Sequence, residues 1–303
     1  MCRTGGRRCP AHSNPMRVAE YNAVRREREA AKKGKELSNA QYKHRVTYAN
    51  EKVAELVDKG FETHNQHAYT DPSGNLFWDK ERAIQHDEIV SELLQGWANV
   101  PSDGKALFTG GLGGAGKTTV LSEYAGVDLS TFATINPDDI KEVLAEKGLI
   151  PVVPGLSPME ASPLVHEEAS HISKMVAREL LRQKKNVIYD VTMTSYDSTM
   201  KKVDELKSNG YENIDVVFVD IPAEVSIRRA EGRHRAGINN LVVNKKGFGG
   251  RLLPVDIMKK QAAAEPLNIM KKIVSEGVFQ NWEVWDNSVD GRAPIKKNVD
   301  IAL

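Results

Sequence analysis

The sequence has few cysteines and lacks long apolar runs. Its 303 residues contain two cysteines, Cys2 and Cys9, which are too few for the disulfide framework of a small secreted protein. No stretch approaches the roughly 20 apolar residues of a membrane-spanning helix, and no apolar segment follows the basic N-terminus as in a secretory signal. We therefore expect a cytoplasmic protein without a membrane segment. The cysteines and His12 belong either to a metal site, for which no fourth ligand is evident, or to a flexible tail.

The chain also carries little net charge, although its charges are unevenly distributed. The formal net charge is +1 at pH 7, yet residues 1–50 contain 12 Lys and Arg against four Asp and Glu, and the remainder contains 30 against 37. A basic arm of this kind binds nucleic acid or an acidic partner in some proteins and is a solvated, frayed terminus in others. Both interpretations stay open at this point.

The pattern of apolar residues changes near residue 100. Residues 1–15 are predicted to be a disordered basic tail, and residues 16–100 a helical region. The apolar stripe of one predicted helix comprises Val46, Val53, Leu56 and Val57. The apolar face of another comprises Ile84, Ile89, Val90, Leu93 and Leu94.

From residue 101 to residue 303, short apolar runs alternate with helix-length segments. The runs lie at residues 106–109, 131–135, 186–190, 214–220 and 281–286. This alternation predicts an α/β fold in which a parallel sheet of about five strands is covered by helices on both faces. Because ligands of such sheets bind at the carboxyl ends of the strands, the residues after each run are candidate functional residues.

The segment GGLGGAGKTT, residues 110–119, follows the first predicted strand. It fits both the G-x-G-x-x-G pattern of dinucleotide-binding proteins and the G-x-x-x-x-G-K-T pattern of the P-loop. Lys117 and Thr118 favour the P-loop, because a triphosphate needs a cation on its β and γ phosphates and a hydroxyl group on Mg²⁺. Residues 101–303 are therefore predicted to form a P-loop kinase domain. The predicted nucleotide-binding residues are Gly111, Leu112, Gly113, Gly114, Ala115, Gly116, Lys117, Thr118 and Thr119.

Carboxylates follow the second and third predicted strands. Asp138 and Asp139 open a predicted helix for which Asn136 is the expected N-cap. Near a phosphate-binding loop, either carboxylate is also a candidate base for the proton of an acceptor hydroxyl group. Asp190 ends the third strand and is predicted to support Mg²⁺ together with Thr118, with a plain strand-terminal turn residue as the alternative.

Two further segments contain candidate residues. HEEASH, residues 166–171, has histidines five residues apart, whereas a zinc-binding helix places them four apart. Its Glu167 or Glu168 is instead a candidate for binding acceptor hydroxyl groups, or the two form an acidic, solvated helix face. Arginines lie among glycines in residues 226–237 and 245–254. Mobile arginines of this kind are expected to cover the nucleotide and to stabilise the charge that spreads over the transferring phosphate.

Taken in order, these motifs resemble those of the zeta-toxin family of P-loop kinases. The segments that carry the resemblance are GGLGGAGKTT, NPDDIK, HEEAS, NVIYDVTM, SIRRAEGRHR and GGRLLP. The resemblance implies phosphoryl transfer from ATP or GTP, with Lys117 and Thr118 as the P-loop pair. It also implies that Asp138 is the catalytic base and that Arg229 and Arg251 bind the phosphate.

The resemblance also implies an acceptor and a partner. Characterised members phosphorylate the 3′-hydroxyl group of the amino sugar in UDP-N-acetylglucosamine, so this nucleotide sugar is the expected acceptor, with Glu167, Glu168 and Asp139 as the expected acceptor-binding residues. A nucleic-acid 5′-hydroxyl group or a nucleoside is the alternative acceptor, and a nucleotide-gated binding or assembly protein is the alternative function. Family members are often held inactive by an antitoxin. Residues 16–98 are expected to form a built-in cover or a surface for an antitoxin, another protein or nucleic acid.

Overall fold

The computed structural model describes residues 36–73 and 76–301. The predicted basic tail at residues 1–15, including Cys2, Cys9 and His12, lies outside the described residues, and so does the first part of the predicted helical region at residues 16–35. Within the described ranges, every helix is too short or too polar to cross a lipid bilayer.

The strands form two sheets. β1 (Ala68–Thr70) and β2 (Leu76–Trp78) form a two-stranded sheet. A six-stranded sheet contains β3 (Lys105–Gly110), β4 (Ala133–Ile135), β5 (Val187–Asp190), β6 (Asn213–Asp220), β7 (Trp282–Asp286) and β8 (Ile295–Lys297). Its spatial order is β4-β5-β3-β6-β7-β8. The five predicted strands are all present and are parallel to their neighbours, whereas β8, which the sequence analysis did not predict, is antiparallel to β7.

The central strand explains why this sheet forms. β3 lies between β5 and β6, and its residues 106–110 are all buried. A parallel strand that is covered on both faces is expected to be apolar along its whole length, which agrees with the sequence ALFTG. The register pairs Thr109 of β3 with Asp190 of β5, so the carboxyl ends of these two strands lie side by side.

The helices are α1 (Asn39–Asp58), α2 (Thr63–His67), α3 (Lys80–Gly96), α4 (Lys117–Thr119, continued by a π-helical turn at Val120–Tyr124), α5 (Pro137–Glu146), α6 (Pro158–Ala161), α7 (His166–Arg182), α8 (Tyr196–Ser208), α9 (Ala223–Asn239), α10 (Val255–Ala263) and α11 (Pro266–Ser275). Local capping interactions explain where several of these helices begin. Ser38 and Gln41 form a capping box at α1, Asp79 caps α3, and Ser157 and Glu160 form a capping box at α6. These reciprocal bonds satisfy backbone N–H groups that a helix start leaves unpaired.

Two predicted apolar faces need correction. The buried residues of α1 are Arg45, Tyr48 and Ala49, and Val57 of the predicted stripe is exposed. In α3, Ile89 and Val90 are buried as predicted, but Ile84 is exposed and Arg82 and His86 are buried instead. In both helices, charged side chains with buried partners determine which face is covered.

The chain forms two compact units whose segments alternate along the sequence. Among the described residues, the first unit comprises the residues up to 77 together with 141–167 and 231–252, and the second comprises residues 78–140, 168–230 and 253–301. The six-stranded sheet and the glycine-rich loop that follows β3 both belong to the second unit. The linear division at residue 100 stays a prediction, because compactness of a unit is not the same property as independent folding.

Candidate active site

The loop between β3 and α4 requires glycine at several positions. Gly111 has a φ of +126° and Gly116 a φ of +79°, values that residues with a Cβ rarely adopt. A Cβ at Gly111 would lie 2.2 Å from the carbonyl oxygen of Val219 on β6, and one at Gly116 would lie 2.6 Å from Nδ2 of Asn287. The loop therefore lies directly against β6 and against the segment that follows β7.

Side chains bind three consecutive carbonyl groups of this loop. The carbonyl oxygens of residues 113, 114 and 115 accept hydrogen bonds from Ser226 Oγ at 2.6 Å, Arg229 Nη1 at 3.3 Å and Asn287 Nδ2 at 2.7 Å, respectively. Because the C=O and N–H groups of a trans peptide point in opposite directions, the N–H groups of these three peptides face away from the donors; that of Ala115 donates to the carbonyl oxygen of Leu112 at 3.1 Å. Backbone N–H groups in such a loop, directly before a helix N-terminus, can bind phosphate oxygens.

Lys117 begins α4 and reaches back across the loop. Its Nζ donates to the carbonyl oxygen of Gly111 at 3.0 Å and lies 3.2 Å from Oδ1 of Asp190 at the end of β5. The side chain of Lys117 is 13% exposed and that of Asp190 is 26% exposed, so solvent screens this ion pair only in part. Thr118, the next residue of α4, is exposed. The structure thus brings the P-loop lysine and the carboxylate of Asp190 together.

Asp190 is held from two other directions. Thr109 Oγ1 on β3 donates to Oδ1 at 2.8 Å, and Asn136 Nδ2, just before α5, donates to Oδ2 at 3.2 Å. The carboxylate therefore accepts hydrogen bonds from two neutral donors and pairs with Lys117. These contacts fix its orientation at the carboxyl edge of the sheet.

Asn136 joins Asp190 to the two acids of α5. Its Nδ2 also lies 3.2 Å from Oδ1 of Asp139, and its Oδ1 accepts a hydrogen bond from the backbone N–H of Asp138 at 2.9 Å. Asp138 is half-buried and Asp139 is exposed. Asn136 thus caps α5 through the backbone N–H of Asp138, as the sequence predicts, and it also connects the carboxylate of Asp139 to Asp190, the partner of Lys117. The sequence analysis missed this second contact.

Arg229 is paired with an acid that the sequence analysis did not single out. Its Nε donates to Oδ1 of Asp290 at 2.8 Å, and Arg228 Nη2 donates to Oδ2 of the same carboxylate at 2.6 Å. Hydrogen bonds from Arg229 and Arg228 hold the pKa of Asp290 below its usual value. Since Arg229 also donates to the carbonyl oxygen of Gly114, Asp290 fixes the arginine against the loop. The feature of the sequence that could have identified Asp290 is its position four residues after the last predicted strand.

The two candidate glutamates of α7 differ in exposure. Glu167 is exposed, whereas the side chain of Glu168 is completely buried. Oε1 of Glu168 lies 2.8 Å from His86 Nε2 and 3.1 Å from Arg82 Nε. The structure therefore gives Glu168 a pairing role with α3 in place of the expected contact with acceptor hydroxyl groups. Glu167 keeps the exposure that such a contact requires.

Arg251 belongs to the first unit and is half-buried. A mobile arginine was expected here, because glycines surround it in the sequence. In the structure, a Cβ at Gly249 would lie 2.3 Å from Oγ of Ser157, and one at Gly250 would lie 2.3 Å from the carbonyl oxygen of His234. This expectation needs correction, because close packing against two neighbouring segments explains both glycines.

Comparison with known proteins identifies the family. Residues 94–289 match the family model described as Zeta toxin. The chain belongs to the zeta toxin family. This confirms the resemblance that the motifs carried, and the matched range contains the P-loop, α5, α7 and both arginine-containing segments. A search of the curated proteins finds no match.

Two solved structures of one complex support the fold of this zeta toxin family member, and a third structure is similar at a lower score. The crystal structure of AvrRxo1-ORF1:AvrRxo1-ORF2 with sulphate ions has a TM-score of 0.59 and 16% sequence identity, over 78% of this chain and 75% of that chain. The same complex with ATP has a TM-score of 0.56 and 14% identity, with the same coverage. A structure from the PezAT toxin-antitoxin system of Streptococcus pneumoniae has a TM-score of 0.48 and 14% identity, over 72% of this chain and 81% of that chain.

Family membership confirms two predictions. The chain has the predicted α/β P-loop kinase fold with a largely parallel sheet. It is also an ATP-dependent kinase, that is, a phosphotransferase. The geometry of the P-loop agrees with this assignment, since Lys117 contacts both the glycine-rich backbone and the carboxylate of Asp190 within the second unit.

Proposed function

We propose that this zeta toxin family member transfers the γ-phosphate of ATP to a hydroxyl group of a nucleotide sugar, with UDP-N-acetylglucosamine as the first candidate. The observation that supports a dedicated acceptor is the chain of contacts from Lys117 through Asp190 and Asn136 to the first turn of α5, where Asn136 bonds to the carboxylate of Asp139 and to the backbone N–H of Asp138. A protein that only switches shape on nucleotide hydrolysis has no use for an acceptor base at this position. Family membership supports the choice of sugar.

The proposed roles follow from charge and position. Lys117, the loop N–H groups and Arg229 bind the phosphates, and Arg251 approaches the transferring group. Asp138 accepts the proton of the acceptor hydroxyl group as its oxygen forms a bond to the γ-phosphorus atom. The bond between that phosphorus and the β–γ bridging oxygen breaks, and ADP leaves with the electron pair. Since charge spreads over the phosphate oxygens in this step, fixed cations lower the barrier.

Thr118 and Asp190 are the residues that would hold Mg²⁺. Both offer hard oxygen donors, which suit this ion, and Asp190 is fixed at the strand end by Thr109 and Asn136. Its carboxylate also pairs with Lys117, and it would support the ion or the ion's water shell from this position. When bound, Mg²⁺ neutralises charge on the β and γ phosphates.

Acceptor binding is assigned to Glu167 and Asp139, both of which are exposed carboxylates. A nucleic-acid 5′-hydroxyl group or a nucleoside is the second candidate acceptor, and the 12 basic residues among residues 1–50 favour it. We further propose that the reaction takes place in the cytoplasm and that an antitoxin or other protein partner binds through the N-terminal region.

The test is a screen with γ-labelled ATP and Mg²⁺ across nucleotide sugars, nucleosides and single-stranded oligonucleotides. Label in a UDP-N-acetylglucosamine product, mapped to the sugar hydroxyl group by NMR, supports the first candidate. Label at an oligonucleotide 5′ end supports the second. The Lys117→Ala variant is the control and is expected to transfer no label in any arm. ATP turnover that is unaffected by acceptors and by Asp138→Asn would instead support a nucleotide-gated protein.

A further inference from the structure

A buried carboxylate of the first unit connects the N-terminal helix to later segments. Glu160 at the start of α6 is completely buried, and Arg45 of α1 donates to both of its oxygens, with an Nε–Oε1 distance of 2.8 Å. The backbone N–H and the hydroxyl group of Ser157 each donate to Oε2 at 2.9 Å. Burial acts to raise the pKa of Glu160, but the hydrogen bond from His234 and the charge of Arg45 outweigh it and lower the pKa to about 2.

His234 extends this network to α9. Its ring is buried, its Nε2 lies 3.1 Å from Oε1 of Glu160, and its Nδ1 lies 2.8 Å from the hydroxyl group of Tyr42 on α1. Since the ionised carboxylate can only accept, Nε2 carries a proton. Arg235, the next residue of α9, donates to Asn39 Oδ1 at 2.7 Å and stacks over the Tyr42 ring. α1 is thus bound to α9 through both His234 and Arg235.

The glycine-rich segment before Arg251 packs on the same two residues. The closest neighbours of a Cβ at Gly249 and at Gly250 would be Ser157 and His234, both at 2.3 Å. The carbonyl oxygen of Phe248 also accepts a hydrogen bond from the backbone N–H of Met159 at 3.1 Å. The backbone that leads into Arg251 is therefore set by the hydrogen-bond partners of Glu160.

We infer that Arg45 is a positioning residue for Arg251. α1 precedes the range that matches the family model, and through Glu160, Ser157 and His234 it fixes the segment from which Arg251 extends. Loss of the Arg45 guanidinium group leaves a buried carboxylate without its bidentate partner, which shifts Ser157 and His234 and frees residues 247–250. This inference rests on the proposed function insofar as Arg251 is taken to act on the transferring phosphate.

The experiment compares Arg45→Met with Lys43→Met, a matched control that removes an exposed positive charge from the same helix. Amide hydrogen exchange of residues 245–253 reports the order of the segment without reference to catalysis. Single-turnover phosphorylation of UDP-N-acetylglucosamine, or ATP hydrolysis if this sugar accepts no label, reports the function of Arg251, and titration gives the Kd for ATP.

We expect Arg45→Met to speed exchange in residues 245–253 and to slow single turnover by roughly tenfold or more, on the scale of misplacing one charge donor. The Kd for ATP should change by less than about threefold, because the ground state does not depend on Arg251. In an Arg251→Ala background, Arg45→Met should cause no further loss of rate. Lys43→Met should match the wild type in every assay.

The inference is overturned if Arg45→Met shows the same amide exchange and the same single-turnover rate as the wild type. It is also overturned if Arg45→Met lowers the rate equally in the wild-type and Arg251→Ala backgrounds, since such a loss reflects general destabilisation. If Arg45→Met fails to fold, Arg45→Lys replaces it: it keeps the charge, loses the planar fork, and should show a smaller change of the same kind. A silent Arg251→Ala variant would instead remove the proposed role of Arg251, while the exchange experiment still tests the link to Arg45.

Discussion

Replacing Asp138 with asparagine is the sharpest test of the proposed chemistry, because Asp139→Asn provides a control one residue away. Both acids lie in the first turn of α5, and both are connected to Asn136. Each substitution keeps the size of the side chain and removes one negative charge near the helix N-terminus. The two variants should therefore lose similar, small amounts of stability, about 0.3–1 kcal/mol from the helix dipole.

The expected effects on catalysis differ greatly. A positioned general base contributes roughly 10²- to 10⁴-fold to the rate, which corresponds to about 2.7–5.4 kcal/mol of barrier at 1.36 kcal/mol for each factor of ten. Asp139 is exposed, and its carboxylate accepts a hydrogen bond from Asn136 at 3.2 Å. Because asparagine also offers a carbonyl oxygen to that donor, we expect Asp139→Asn to weaken this hydrogen bond by about 1 kcal/mol.

Single-turnover transfer from labelled ATP, a Kd for ATP and urea denaturation should be measured for both variants. We expect Asp138→Asn to lower the transfer rate by at least about 10²-fold at an unchanged Kd, and Asp139→Asn to lower it by less than about tenfold. The reverse order would show that Asp139 is the base and that Asp138 serves as a helix-start residue. Equal and small losses would refute the assignment of a base to this helix.

Three further predictions concern charged residues. Asp290→Ala should weaken ATP binding about three- to tenfold, because Arg229 loses the carboxylate that orients it; Asp290→Asn should weaken it less, and an unchanged Kd by calorimetry would contradict this. Glu167→Gln should raise the KM for the acceptor at unchanged stability, and a KM equal to that of the wild type would count against Glu167. Glu168→Gln should instead lower the free energy of unfolding in urea by about 3–5 kcal/mol, because it breaks a buried pair. The pKa of Glu160 is about 2 in the folded protein against 4.5 for an unperturbed glutamate, so its stabilisation is complete above pH 4.5 and is lost as the pH falls towards 2. Glu160→Gln should flatten the stability–pH profile in that window, and an unchanged slope in acid denaturation would contradict the assignment.

Local sequence was sufficient for the sheet and for the phosphate loop. Each of the five parallel strands is a short apolar run, since a strand covered on both faces needs apolar side chains along its length. The P-loop is equally local, because strand, glycines, Lys117 and Thr118 follow one another within about 15 residues. Asn136 as the cap of α5 was also predictable, since a capping bond joins residues two or three positions apart. β8 was missed because its three residues, Ile295–Lys297, are mostly polar and exposed.

Tertiary structure decided which charged side chains are buried and which partners they have. Periodicity selected valines and leucines for the buried face of α1, but Arg45 is buried there because Glu160, 115 residues later, offers a bidentate partner. Glu168 is buried and pairs with Arg82 and His86. Asp290 accepts a hydrogen bond from Arg229, which lies 61 residues earlier in the chain. Burying a charge is unfavourable unless an opposite charge is in place, so its environment depends on a partner that only packing brings near. The sequence by itself therefore determined the phosphate-binding loop and the positions of the five parallel strands. The tertiary structure determined the spatial order of the strands, which acids and arginines surround that loop, and which charged residues stabilise the fold elsewhere.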